Sequence, residues 1–446
     1  MPSSFYDYCS SRKKRTIQQL PIPARKGHNA ILNSNYIQDI VDAIGTWGCQ
    51  RILLVHSKTL DENTDVVKNL KEKLGWFVVG TKSGVDIHSP YEDVLDITKL
   101  LNEKDADCLV SIGSSSCSDA CKIARLMQVT LAPDSLTVEA MENLVDEEKR
   151  LATIHNKPRV RMIAVPTGLS AGEWNNRSAA TNPHTHKKQH FASEHGAPDL
   201  ILCDPEVAST SPTKLWLSSG MRAIDHCIET MLSDACTQEV FHHMEDALAV
   251  LLSGLRDYND SQTTTHDRTE LVAGISTCQL GSRNAMMGLL LWRVPMGASH
   301  AIGQQLGSVC GVMHGITTCI VLAPVLSYTA AKSDTQAQRQ GRVLGIWNKI
   351  LGSQYTCLAD AVMGFVQDLG LPTELGEVGV LDQKVLGKVA ECTVRDAFGA
   401  MEGLGGKEDV LAILEKAKGG GQCGGGVNGG GVNGSGDGWL DADAPA

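Results

Sequence analysis

The stretch Asp107–Lys122, DCLVSIGSSSCSDACK, decides how this chain is read. Asp107–Ile112 carries Leu109, Val110 and Ile112 in a short run with the length of a buried strand. It leads into Gly113-Ser114-Ser115-Ser116, and the residues that follow, ACKIARLM, have the spacing of a helix. A strand, a turn of small residues and a helix, in that order, leave backbone N–H groups exposed at the positive end of the helix. That arrangement holds a pyrophosphate.

Working outward, the same alternation repeats. Tyr36–Trp47 has helical spacing, Arg51–Val55 (RILLV) reads as a buried strand, and polar His56-Ser57-Lys58 follow it. Asp61–Leu74 is expected to be a helix, Trp76–Gly80 a strand and Glu92–Asn102 a helix. Val160–Val165 (VRMIAV) is a further strand, running into PTGLSAGEWNN, where a Pro-Thr-Gly turn sets hydroxyls and backbone donors near the same crevice. Strands alternating with helices of this length predict a parallel sheet covered on both faces. Residues 1–30 show no strong period, and Asp134–Lys157 reads as a polar connector. His184–His195 (HTHKKQHFASEH) holds four histidines, but Lys187-Lys188 among them would repel a cation, so a polar loop or hairpin is expected.

From Thr213 onward the pattern is helical: Glu239–Gly254, His266–Met287, Val294–Cys310 and Asn348–Leu369 all place apolar residues three and four apart. Residues 419–446 are Gly-rich and acidic, a composition that cannot bury enough apolar surface to fold. The expected organisation is an α/β dinucleotide-binding domain with a Rossmann-like parallel sheet over 1–198, an all-α domain over 199–418, and a disordered tail over 419–446.

Composition narrows the function classes. The 446 residues suffice for two or three domains, and 42% hydrophobic with 20% charged residues describes an ordinary globular protein. A net charge of −11, with no basic block longer than Arg12-Lys13-Lys14-Arg15, argues against nucleic acid or an anionic membrane as partner. A small-molecule substrate is expected instead. The fourteen cysteines are scattered without a CxxC pair, which fits free thiols in a reducing compartment. The N-terminus has no apolar core of a secretory signal, and no apolar run approaches the ~20 residues of a membrane helix. A cytoplasmic protein is expected.

A second informative stretch is Val294–His314, VPMGASHAIGQQLGSVCGVMH. His300 opens a Gly/Ala-rich helical segment, and His314 follows a break at Gly311-Val312-Met313. If Ala301–Cys310 is helical it spans ~15 Å, so a chain turning back after Gly311 could bring both imidazoles near one point. Asp204 in LILCDPE and His226 in GMRAIDHCIE are two further candidates. Three imidazoles and one carboxylate suit Zn²⁺, Fe²⁺ or a neighbouring divalent metal.

Together the motifs resemble the iron-containing alcohol dehydrogenase superfamily, and within it the maleylacetate reductase-like branch. The matches run from about 50 to 418: HSPYED at 88–93, GSSSCSDACK at 113–122, AVPTGLSAGE at 164–173, LCDPE at 202–206, LWLSSGMRAIDHCIE at 215–229, CQLGSRNAMMG at 278–288, VPMGASHAIGQQLG at 294–307 and GVMHGITTCIVLAPVL at 311–326. The resemblance implies the dehydroquinate synthase-like architecture, with a dinucleotide and a divalent metal, Fe²⁺ or Zn²⁺, between an α/β and a helical domain. The family's metal ligands carry over to Asp204, His226, His300 and His314. Its cofactor-binding positions carry over to Ser57, Gly113, Ser114, Ser115, Ser116, Asp119, Thr167, Leu169 and Ser170.

Three departures shape the functional expectation. The family turn is GGGS, whereas here Ser114 and Ser115 replace glycines, and each Cβ narrows the approach. Ser57 stands where NAD-preferring relatives often place Asp; without a carboxylate to repel a 2′-phosphate, NADP is expected to be accepted at least as well as NAD. Gln304 replaces a histidine that relays a proton, and glutamine cannot titrate. The resemblance therefore implies a metal-assisted, NAD(P)H-dependent reductase of a carbonyl or a carbonyl-conjugated C=C bond in a small acidic substrate. His300 and Gln304 would stand at the reacting centre, and Arg222 would be a candidate carboxylate binder. The alternatives are a dehydroquinate synthase-type lyase or cyclase, which regenerates its cofactor, and a catalytically decayed relative. A homodimer fits the superfamily's habit.

Overall fold

The computed structural model describes residues 13–185, 187–394 and 404–419. The Gly-rich tail from 420, and His186, lie outside the described residues. The chain forms two compact units, one of Met1–Thr230 with Ala235–Val294 and the other of Met231–Asp234 with Pro295–Ala446.

The first unit is built on seven strands: β1 (Arg15–Gln18), β2 (Asn29–Leu32), β3 (Ile52–His56), β4 (Val78–Ser83), β5 (Cys108–Gly113), β7 (Arg161–Pro166) and β10 (Leu200–Cys203). Their order is β1-β2-β10-β7-β5-β3-β4. All neighbours run parallel except the antiparallel β1–β2 pair. Alternation along the strands splits the core between two faces. Leu53, Val55, Leu109, Met162 and Ala164 pack on one side with the helices Tyr91–Glu103 and Ser115–Thr130. Ile52, Leu54, Val110, Ile112, Ile163 and Val165 pack on the other with Ile40 and Ile44 of the helix Tyr36–Trp47 and Leu70 of the helix Val66–Leu74.

After β3 the chain moves outward to β4, then returns past β3 to form β5. That reversal makes the carboxyl ends of β3 and β5 a topological switch point, where open parallel sheets hold their ligands. A second sheet, ordered β6-β9-β8, comprises β6 (Leu151–Thr153), β8 (Arg177–Thr181) and β9 (Lys188–Ala192). β8 and β9 pair antiparallel, so residues 188–192 of the four-histidine segment form one strand of a hairpin. The helical pair Gln238–Asp260 and Arg268–Ala285 also belongs to this unit.

In the second unit the helices Ala298–Cys310, Asp334–Leu351, Leu358–Asp368 and Lys407–Ala417 surround the helix His314–Lys332. That central helix is the one among the described residues long and apolar enough to cross a membrane by length and composition, with a mean hydropathy of 1.3. Yet 67% of its apolar window is buried, as in the core helix of a globular unit. Tyr328 and Lys332 at its end reach the Asp409 carboxylate at 2.7 and 2.6 Å, tying the last helix to it.

Three boundaries differ from the periodicity. Asn348–Leu369 is not one helix: Gly352, at φ 66°, takes a left-handed conformation that ends the first part, and Cys357 caps the second. Asp61–Leu74 is interrupted between Asn63 and Val66, where the Thr64 hydroxyl donates to the Leu60 carbonyl and accepts from the Val66 N–H. The connector 134–157 contains a short helix, Val138–Glu142, and strand β6.

Candidate functional site

The strand–turn–helix of the opening stretch sits at the switch point. β3 and β5 are in register up to His56 and Ile112, and β5 and β7 up to Gly113 and Pro166. The Ser57 N–H donates to the Ile112 carbonyl at 3.1 Å, and the Thr167 N–H to the Gly113 carbonyl at 3.0 Å. The three predicted segments, Ser57, Gly113–Ser116 and Thr167–Ser170, therefore leave adjacent strand ends at one edge of the sheet.

Gly113 is needed for space. A Cβ there would lie 3.1 Å from the Cys117 Cβ and 3.6 Å from the Ser57 nitrogen. Ser114 is the N-cap residue of the sixteen-residue helix Ser115–Thr130, yet no side chain caps that end. An uncapped helix N-terminus beside a glycine at a switch point fits a pyrophosphate. The two serines after it are drawn to neighbouring turns. The Gly172 N–H donates to Ser115 Oγ at 3.4 Å, and the His88 N–H donates to Ser116 Oγ at 3.3 Å. Ser89 Oγ donates to the Ser116 carbonyl at 2.8 Å, and both His88 and Ser89 have positive φ, 66° and 51°. The extra bulk of Ser115 is accommodated because residue 172 is glycine, whose Cβ would stand 3.0 Å from that of Ser115.

The remaining predicted cofactor positions divide into wall and support. Ser57 Oγ accepts from the Leu60 N–H at 3.3 Å, capping the helix Lys58–Asn63. The Leu169 N–H donates to Ser219 Oγ at 3.0 Å, and Ser282 Oγ donates to the Leu169 carbonyl at 2.7 Å. Thr167 is buried and its carbonyl accepts from Ser211 Oγ, while Ser170 is half-buried. Asp119 points into structure: Oδ2 accepts from the Ala179 N–H at 3.1 Å, and Oδ1 lies 2.8 Å from Lys122 Nζ.

Among the predicted metal ligands, Asp204 and His226 belong to the first unit and His300 and His314 to the second. Asp204 is the N-cap of the turn of helix Pro205–Ala208. Its carboxylate accepts three backbone N–H bonds, from Tyr36 at 2.7 Å, Glu206 at 2.8 Å and Val207 at 3.1 Å. Burial pushes its pKa up, and the three N–H groups oppose that shift. These bonds engage three of about four lone-pair sites, so the carboxylate caps this turn with one site left. The Asp-Pro pair was the signal for this role, since Asp favours the N-cap and Pro the first helical position.

His226 is buried in the helix Thr213–Leu232 and shares a face with Arg222 and Glu229, four residues before it and three after. Arg222 is buried with its guanidinium 3.5 Å from the Asp225 carboxylate. His300 lies in the first turn of the helix Ala298–Cys310, where it is buried, and Gln304 stands one turn later on the same face. Gly311, at φ 71°, ends that helix and returns its N–H to the Gly307 carbonyl, and His314 opens the next helix. The helix, break and second helix read from the sequence are all present.

Sequence comparison identifies the whole arrangement. Residues 28–205 match the family described as iron-containing alcohol dehydrogenase, and residues 216–418 match the C-terminal part of the Fe-containing alcohol dehydrogenase family. The chain belongs to the iron-containing alcohol dehydrogenase family. It is an oxidoreductase. A dehydrogenase of Alternaria alternata is 29% identical over 409 residues, covering 83% of this chain and all of the relative. Maleylacetate reductase 1 of Rhodococcus opacus is 23% identical over 360 residues, 80% of this chain and 85% of the relative. The crystal structure of sulfoacetaldehyde reductase from Bifidobacterium kashiwanohense in complex with NAD⁺ has the same fold, with a TM-score of 0.69 at 18% identity, covering 86% of this chain and 95% of the other.

Proposed function

We propose that this member of the family is an NAD(P)H-dependent reductase of a carbonyl, or of a C=C bond conjugated to one, in a small acidic substrate. The observation that carries the reading is the uncapped N-terminus of the helix Ser115–Thr130 beside Gly113 at the switch point. When bound, the nicotinamide cofactor supplies the hydride. Gly113, Ser114, Ser115 and Ser116 would receive its pyrophosphate on backbone N–H groups, Ser57 would face the adenosine ribose, and Thr167–Ser170 would form the opposite wall. With serine and not a carboxylate at position 57, a 2′-phosphate meets no repulsion, so NADP is accepted as well as NAD.

A divalent metal of this family would be held here by the positions that match the family's ligands, Asp204, His226, His300 and His314. Three imidazoles and one carboxylate form a mixed N/O set suited to Fe²⁺ or Zn²⁺. Bound there, Fe²⁺ or Zn²⁺ would polarise the substrate oxygen. Gln304, one turn after His300, can donate a hydrogen bond but cannot exchange a proton, so the proton of the reduction comes from water, from the substrate or from another residue. Arg222, on the His226 face and paired with Asp225, and Arg293 are candidate partners for a substrate carboxylate. The free thiols among the described cysteines support a reducing, cytoplasmic setting.

The test is NADPH consumption by the full-length protein against a panel of short keto acids and conjugated enones. Stoichiometric oxidation of NADPH with at least one of them is the expected result. Substrate conversion without net NADPH loss would instead establish lyase chemistry.

A further inference from the structure

Lys122 is fully buried, which is rare for an ammonium and requires partners. Its Nζ lies 2.7 Å from the Gly172 carbonyl, 2.8 Å from Asp119 Oδ1, 3.2 Å from the Asn175 carbonyl and 3.3 Å from the Arg177 carbonyl. An ammonium has three N–H donors and no acceptor, so four oxygens satisfy it completely. Asp119 and Lys122 stand one turn apart on the helix Ser115–Thr130, and every other oxygen belongs to the segment Gly172–Arg177, which links the β7 turn to β8. Asp119 adds a bond to the Ala179 N–H, and Gly172 itself touches Ser115.

We propose that Lys122, with Asp119, is a positioning residue. It clamps the Gly172–Arg177 segment to the phosphate-turn helix and thereby presets the gap between Ser114–Ser116 and Thr167–Ser170. This rests on the nucleotide reading of that gap. The clamp compensates for the GSSS turn: with a side chain at residue 115, the opposite wall must be held at a fixed distance, close enough to contact Ser115 Oγ and no closer than Gly172 allows. A free loop would instead be ordered at each binding event, at a cost in affinity.

The experiment uses full-length wild type, Lys122→Met, Lys122→Ala and Asp119→Asn. Hydrogen exchange of residues 172–177 is followed without nucleotide, and NADPH affinity is followed by fluorescence titration. Loss of protection over 172–177 in the lysine variants, with NADPH affinity weakened about tenfold or more, is the expected result. Saturating turnover should fall much less than KM rises. In Lys122→Ala, added methylammonium or ethylammonium should restore affinity where tetramethylammonium at equal ionic strength does not. Unchanged protection and unchanged affinity in folded variants would overturn the proposal, as would a loss that no small ammonium restores. Should the lysine variants fail to fold, Asp119→Asn decides: normal affinity and protection there would reject the clamp. Absence of NADPH binding by wild type would defeat the nucleotide reading, while the exchange data would still report on the clamp.

Discussion

Glu173 adjoins the clamp, and its ionisation gives a sharp prediction. Its carboxyl is buried, and burial pushes its pKa from 4.5 up to about 7, with Lys122 opposing that shift. The group holds its proton more tightly in the folded chain than in the unfolded one. The stability this confers is fully present below pH 4.5 and is lost as pH rises from there through about 7. A shift of that size corresponds to about 3 kcal/mol, since one pKa unit is worth about 1.4 kcal/mol. Glu173→Gln is neutral at every pH and removes this dependence. Comparing urea unfolding of wild type and variant at pH 5 and pH 8 cancels all other titrations. The variant should gain about 2.5 kcal/mol on wild type between the two conditions, since a small part of the effect is already lost at pH 5. Parallel pH dependence of the two proteins would refute a buried, protonated Glu173.

Three further outcomes follow from named contacts. Gly172→Ala places a Cβ 3.0 Å from that of Ser115, so the wall must move and NADPH affinity should fall about tenfold, measured by fluorescence titration, with the fold retained. Ser57→Asp keeps a good cap for the helix Lys58–Asn63 and adds a charge at the ribose position. The ratio of kcat/KM for NADH over NADPH should therefore rise at least about tenfold, at unchanged melting temperature. Asp204→Ala strips three backbone N–H groups of their acceptor, and should lose about 2 kcal/mol or more of stability in urea unfolding. Metal content should fall both in that variant and in His300→Ala.

Much of this was legible in the sequence for a physical reason. Buried parallel strands such as Ile52–His56 and Cys108–Gly113 are nearly continuous apolar runs, and the turns after them carry small residues. The parallel sheet and the crevice follow from that alternation. The helix break at Gly311, flanked by His300 and His314, was equally plain. What periodicity could not show was which polar residues face inward. Lys122 looks like a solvent-facing helix residue until its four oxygens are placed, and those oxygens are backbone atoms of a distant segment with no sequence signature. The backbone N–H groups that Asp204 accepts were announced only by its Asp-Pro pair, which marks a helix N-cap. Strand β6 of the small β6-β9-β8 sheet was missed because Leu151–Thr153 sits in a charged surrounding and is too short to show a period.

The most direct test of the central claim is fluorescence titration of NADPH and NADH into the full-length wild type and Gly113→Val. A side chain at 113 must displace Cys117 and the start of the phosphate-turn helix. Saturable binding of both nucleotides by wild type is expected, with at least about a tenfold loss in Gly113→Val at unchanged circular dichroism. Equal binding by the two proteins, or none by wild type, would contradict the account.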